Sequence, residues 1–148
     1  MKKFWAVFTL ILFPAMGYPP YEDLTNFGVD WNSRPILDDS AKMLALESLV
    51  RFVKEARFNP AGFDELVLSF PKFSYANGSE NSEPVQTKMV ELLQLMANRA
   101  GASYPNAFSL IKGKLNDVVD NDKLSENIRS RARDALVFAN SLGGEGIR

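Results

Sequence analysis

Residues 40–57 read SAKMLALESLVRFVKEAR. Met43, Leu46, Leu49, Val50, Val53 and Ala56 recur three or four positions apart, the period of a helix with one apolar face. Asp38, Asp39 and Ser40 stand at its start with oxygens able to accept from the free amides of a first turn. A half-buried strand would alternate apolar and polar residues, and this stretch does not. The helix it predicts cannot bury its stripe alone, so the rest of the chain must supply partners.

Downstream, Asn59-Pro60 is a restart signal. Asparagine is a good N-cap, and proline suits a first helical position because its missing N–H would be unpaired there anyway. Phe63, Leu66, Val67 and Phe70 follow at helical spacing, and Pro71 ends the run. A short helix is expected, with a strand over Glu65–Phe70 as the alternative. Residues 71–82 are rich in Gly, Asn and Ser and predict a loop. Glu83-Pro84 opens a helix with Val85, Met89, Leu92, Leu93, Met96 and Ala100 on one face, ended by Gly101. Pro105 opens another, carrying Phe108, Ile111, Leu115, Val118 and Val119, broken at Asn121-Asp122. The last carries Leu124, Ile128, Ala132, Ala135, Leu136, Ala139 and Leu142, with Gly143-Gly144 as its expected stop. The pattern predicts an all-α fold of five to six helices in antiparallel pairs, either a short solenoid or an irregular helical bundle.

The long helices superimpose in sequence. Lys42, Val85 and Ile128 are spaced by 43, and so are Leu46, Met89 and Ala132, then Leu49, Leu92 and Ala135, then Val53, Met96 and Ala139. Asp39, Ser82 and Ser125 fall at the matching start positions. The short helices echo one another at a spacing of 45, Pro60, Phe63, Leu66 and Phe70 matching Pro105, Phe108, Ile111 and Leu115. A weaker copy is visible at Pro20, Tyr21, Leu24 and Phe27. Helix pairs repeating every 40–47 residues or so are the mark of HEAT-type and armadillo-type solenoids. Residues 122–142, with Asp122, Ile128-Arg129, Ala132 and Ala135-Leu136, resemble the second helix of a HEAT unit. The resemblance implies a stack of three units, a protein-binding surface, and a structural pair between Arg129 and the loop carboxylate Asp122. Met43 and Gln86 stand where Arg129 stands, so the Arg–Asp ladder of that family is broken in the first two units.

Upstream of residue 40, the chain opens Met1-Lys2-Lys3 and runs apolar from Phe4 to Phe13. Pro14 then breaks the run, and Ala15-Met16-Gly17 follows. A short positive segment, an apolar run and a small-x-small site form the secretory signal pattern. The apolar run is about half the ~20 residues needed to cross a bilayer. Residues 1–17 are therefore expected to be a signal peptide, leaving 18–148 as a single all-helical domain in the periplasm or outside the cell, with no stable membrane span after cleavage.

Composition narrows the chemistry. The 148 residues carry 17 basic against 18 acidic side chains, with no histidine and no cysteine. Net charge near zero on an exported chain points away from nucleic acid. Without Cys or His there is no disulfide, no imidazole or thiolate metal site, and no Ser-His or Cys-His nucleophile. No metal and no cofactor are expected. What remains for catalysis is carboxylates. Glu22-Asp23, Asp38-Asp39 and Asp64-Glu65 are adjacent in sequence and so diverge on a helix, a poor arrangement for two groups that must bracket one glycosidic bond. A non-enzyme is expected, with no catalytic residues.

The candidate contact residues are Lys72, Phe73 and Tyr75 on the 71–82 loop, and Trp31 in a second non-helical stretch. Aromatics on a loop suit partner recognition. Equally, Phe73 and Tyr75 can fold back to tether the loop, and Trp31 can cap the apolar end of the first unit. Asn77-Gly78-Ser79 is an N-glycosylation acceptor pattern, relevant only in a eukaryotic secretory path. The expected function is a helical-repeat protein binding another protein in the cell envelope or outside the cell, of inhibitor, immunity or scaffold type. The alternatives are a carboxylate-based cell-wall or glycan hydrolase, and a carrier of an apolar ligand lined by Met89, Met96 and phenylalanines.

Overall fold

The computed structural model describes residues 39–55, 58–73 and 81–146. These form five helices and, among the described residues, no strand: α1 (Asp39–Glu55), α2 (Pro60–Leu68), α3 (Glu83–Ala100), α4 (Pro105–Val119) and α5 (Glu126–Gly146). The all-α expectation holds, and the strand considered at Glu65–Phe70 is helix α2 and its C-cap. The expected signal peptide, Trp31, Tyr75, the Asn77 acceptor pattern and the possible copy at Pro20–Phe27 lie outside the described residues.

Local chemistry sets the helix ends. Asn59 caps α2, its side-chain oxygen accepting from the Gly62 amide at 2.7 Å with Pro60 at the first turn. Ser125 accepts from the Ile128 amide at 3.3 Å ahead of α5. Ser82 precedes α3 without a side-chain capping bond. Gly101 closes α3 at φ +46°, a left-handed φ that favours glycine, and its N–H donates to the Ala97 carbonyl. The expected stop at Gly143-Gly144 is not one: α5 runs through both glycines to Gly146. Glycine costs a helix about 1 kcal/mol relative to alanine, which weakens a helix without ending it.

The helices pack by parity. The long helices touch in order, α1 on α3 and α3 on α5, and the short helix α2 packs on α4; α4 also packs on α3 and α5. Burial follows the 43-residue register. Lys42, Leu46, Leu49 and Val53 are buried in α1, Val85, Met89, Leu92 and Met96 in α3, and Ile128, Ala132, Ala135 and Ala139 in α5. Three of the α5 residues are alanines, and α5 packs on both α3 and α4. In the short helices, Phe63, Leu66 and Phe70 match Phe108, Ile111 and Leu115, and all six are buried. The α1 stripe is rotated from the one its hydrophobicity predicts. Lys42, Ala45 and Phe52 are inside, while Met43 and Val50 are only half-buried.

One aromatic cluster ties three elements together. Phe58 packs edge-on against Phe52 and face-tilted against Phe63, and the Tyr104 ring lies 5.1 Å from Phe63. The Tyr104 hydroxyl donates to the Phe58 carbonyl at 2.7 Å. Arg99 donates to the Val53 and Lys54 carbonyls at the end of α1 and sits 5.3 Å over the Phe58 ring. The turn from α3 into α4 is thereby fixed to the passage from α1 into α2.

Candidate functional site

Two surfaces emerge, and the first begins at the loop the sequence singles out. Its base is a buried polar cluster of Lys42, Asn81 and Gln86. The Lys42 ammonium donates to Asn81 Oδ1 at 2.6 Å, and Asn81 Nδ2 donates to the Lys72 carbonyl at 2.7 Å. The Phe73 carbonyl accepts from the Asn81 backbone N–H and from Gln86 Nε2, both at 3.3 Å. Buried polar groups are costly unless hydrogen-bonded, and here each partner satisfies another. Burial pushes the Lys42 pKa below its ordinary value, and the charge of Asp39 opposes that shift. The chain therefore leaves at Phe73 and returns at Asn81 across one hydrogen bond.

This geometry divides the predicted contact residues. Phe73 is buried in the hydrophobic core and cannot face a partner, so the folding-back alternative applies to it. Lys72 is exposed. It stands at the edge of a hollow of about 180 Å³ lined by Phe70, Pro71, Lys72, Phe73, Lys114, Asp117, Val118 and Asn121.

The second surface is the outward side of the long helices. Among the described residues the exposed large hydrophobic side chains are Leu44, Leu68, Val137 and Phe138, and all but Leu68 lie on α1 or α5. Val137 is 70% exposed and Phe138 38%. Phe138 lines a hollow of about 330 Å³ together with Glu91, Gln94, Leu95 and Asn98. A second hollow, sharing Glu91 and Gln94, continues between α3 and α5 past Arg131 and Asp134. Sequence analysis missed this face, although its signal was there: Val137 and Phe138 are apolar residues outside the α5 stripe.

The expected pair of Asp122 with Arg129 is replaced. Arg129 takes Glu126 at 3.2 Å, three residues earlier on the same helix. Glu126 also receives Arg133. A carboxylate one turn away on the same face is nearer than one in the preceding loop, and Asp122 makes no ion pair with Arg129. Of the carboxylates weighed for catalysis, Glu22, Asp23 and Asp38 lie outside the described residues; Asp64 accepts from Asn106 Nδ2 at 2.7 Å, tying α2 to α4, and Asp39 is exposed in the first turn of α1. Glu83 links the starts of α3 and α5. Hydrogen bonds from Ser125 first, then Asn127, hold its carboxyl below the usual range, and the charge of Arg131 adds to them. Met89 and Met96, weighed as lining for an apolar ligand, belong to the packed core. Among the described residues no group of three or more Asp or Glu converges as a metal site, and no helix is long and apolar enough to cross a membrane.

Comparison with protein-family models, with curated proteins and with solved structures finds no match for this chain.

Proposed function

We propose that this is an exported, non-catalytic helical-repeat protein of HEAT-like kind that binds another protein through the outward face of α1, α3 and α5. The observation that carries the reading is that, among the described residues, the long helices α1 and α5 carry exposed large apolar side chains, with Phe138 of α5 beside a hollow it shares with α3. Isolated exposed hydrophobes are ordinary on any surface. Val137 and Phe138 are consecutive on α5, so their side chains leave the helix roughly 100° apart; Val137 is the more exposed, and Phe138 borders a hollow that Leu95 also lines. Interface centres favour aromatic and aliphatic anchors set in such hollows with polar residues around them. In the 43-residue register Arg51, Gln94 and Val137 fall in line, as do Ser48, Glu91 and Asp134, so three helices would present one surface to a partner. Stacked helix pairs commonly bind proteins across such a surface.

Crosslinked capture from an envelope extract, with the exported chain as bait, tests this. A protein partner should be recovered with the parent chain and lost with Val137→Asp and Phe138→Glu, both variants keeping the parent circular dichroism. Equal recovery by parent and variants would remove this face from the interaction. Mass measurement of the exported product should give a chain beginning at Tyr18; a product retaining residues 1–17 would overturn the export reading.

A further inference from the structure

We infer that the Phe138 hollow is an arginine site: it takes one arginine side chain of a protein partner, with the guanidinium against the Phe138 ring and its N–H groups on Glu91 and the amide oxygens of Gln94 and Asn98. The inference rests on the reading that the long-helix face binds a protein, and it names what that protein must present there.

Two helices build the groove. Glu91, Gln94, Leu95 and Asn98 fall at i, i+3, i+4 and i+7 of α3, so they share one side of that helix. Asp134 and Phe138 are one turn apart on α5 and line the groove from the other side. Glu91 and Gln94 border both hollows, so the groove is continuous from Thr87 and Arg131 at one end to Asn98 and Phe138 at the other. At about 330 Å³ the Phe138 hollow is at the small end of ligand sites, which start at roughly 300 Å³. That is room for one long side chain.

The polar lining of this hollow is Glu91, Gln94 and Asn98, each with an oxygen able to accept. The Glu91 side chain is 57% exposed, and Lys88 approaches it at 3.8 Å, the outer limit of an ion pair. A carboxylate has about four acceptor sites, so Glu91 keeps capacity for a second cation. Among the described residues Gln94, Asn98 and Asp134 make no hydrogen bond or ion pair. Of the residues lining the two hollows, Arg131 is the one cation, and it lies at the other end, where its charge acts on Glu83. α3 ends at Ala100, two residues past Asn98, and the carbonyls of a last helical turn favour positive charge.

These groups favour a cation, while Leu95 and Phe138 offer apolar surface that a small hydrated ion would not cover. The occupant must join a cationic head to an apolar stem, which arginine and lysine both do. Arginine fits better. Its planar fork donates to several acceptors at once, it stacks on an aromatic ring, and it is more weakly hydrated than an ammonium. A leucine would cover the apolar wall but take water from Glu91 without replacing its hydrogen bonds.

The test uses the isotopically labelled full chain and the peptide acetyl-Ala-Leu-Arg-Leu-Ala-amide, followed by amide chemical shifts. Binding should move the amides of Glu91, Leu95, Asn98 and Phe138, and should weaken with added salt. Citrulline in place of the arginine keeps the shape and removes the charge, and should weaken binding about fivefold or more; lysine should weaken it less. Phe138→Leu should cost about two- to fivefold, the range for an exposed cation over a ring. Glu91→Gln should cost a similar factor of about two to five, that of an exposed ion pair. If Phe138→Leu alters the circular dichroism, Glu91→Gln, at an exposed position, carries the comparison. Equal affinity for the arginine, citrulline and norleucine peptides, shifts confined to other helices, or no shifts at millimolar peptide would each overturn the assignment. Envelope capture separates this inference from the proposed function. A partner lost with Val137→Asp and Phe138→Glu but still captured by Glu91→Lys would leave the function standing and overturn the arginine. Expected peptide shifts with no partner captured would count against the function and support the arginine site.

Discussion

Asn81→Ala removes the group on which the loop base converges, and the cost can be worked from its contacts. The side chain is buried, accepts from the Lys42 ammonium at 2.6 Å, and donates to the Lys72 carbonyl at 2.7 Å. A hydrogen bond to a charged group contributes roughly 1.5–3 kcal/mol, and a neutral one about 1 kcal/mol. The substitution should therefore destabilise the fold by about 3 kcal/mol. For a domain of this size that lowers Tm by roughly 6–15 °C. Most of the loss comes from leaving a desolvated ammonium without its amide acceptor. In a Lys42→Met background that penalty is gone, and Asn81→Ala should cost only about 1 kcal/mol. Urea unfolding of all four chains, followed by circular dichroism at constant m-value, closes the cycle. The expected coupling is about 2 kcal/mol. Additivity within about 0.5 kcal/mol would refute the energetic link between Lys42 and Asn81, whatever the single variants do.

Three further outcomes follow. Leu93→Ala, at a fully buried position in α3, should cost roughly 2–5 kcal/mol by urea unfolding, and a loss below about 1 kcal/mol would mean that α3 faces another way. Arg99→Ala removes two carbonyl contacts at the end of α1 and the guanidinium over Phe58; it should cost about 1.5–3 kcal/mol, while Arg99→Lys recovers only part of it because a single ammonium cannot reproduce the planar fork. Glu83 titrates below the usual carboxylate range in the folded state. Its contribution is therefore present above the ordinary carboxylate pKa and is lost as pH falls through the lowered value. Glu83→Gln should flatten the acid limb of a stability–pH curve, and an unchanged limb would exclude that contribution.

The periodic parts of the fold were legible because their determinants are local. Val85, Met89, Leu92, Leu93 and Met96 lie within one window, and all are buried as their spacing predicts. The Asn59 cap and the Gly101 stop are local too, and both are present. What could not be seen depends on residues far apart in sequence. Lys42 disturbs the apolar stripe of α1, and hydrophobicity alone places it outside. Its acceptor is 39 residues away. Arg99 meets the end of α1 across 45 and 46 residues. The Arg129 pairing failed for the opposite reason: a resemblance supplied a loop partner, and a nearer carboxylate in the same helix took its place. Of the contact candidates, Lys72 is exposed, as a charged side chain on a loop is expected to be. The burial of Phe73 could not be read, because a loop aromatic reads alike whether it faces solvent or core.

The departures from the 43-residue register converge on one place. Positions 42, 85 and 128 are Lys, Val and Ile, and all three are buried. Two of them are apolar, as a stacked helix requires, and the third carries a charge that burial disfavours. Positions 43, 86 and 129 are Met, Gln and Arg, and here Gln86 is the buried polar residue. Lys42 and Gln86 thus break the pattern at neighbouring positions of adjacent long helices. Both act on the same loop, Lys42 through Asn81 and Gln86 on the Phe73 carbonyl. Well-packed apolar residues in place of Lys42 and its Asn81 partner together would be near neutral, since burying an ammonium opposes its own hydrogen bond, whereas replacing one partner alone strands the other. What the polar groups add is position: they fix where residue 72 stands relative to α4. Lys42→Met combined with Asn81→Leu should then leave stability near that of the parent and still shift the backbone amide resonances of Lys72 and Phe73. Shifted resonances without loss of stability would separate positioning from packing; parent-like resonances in that variant would show that the clasp serves packing alone.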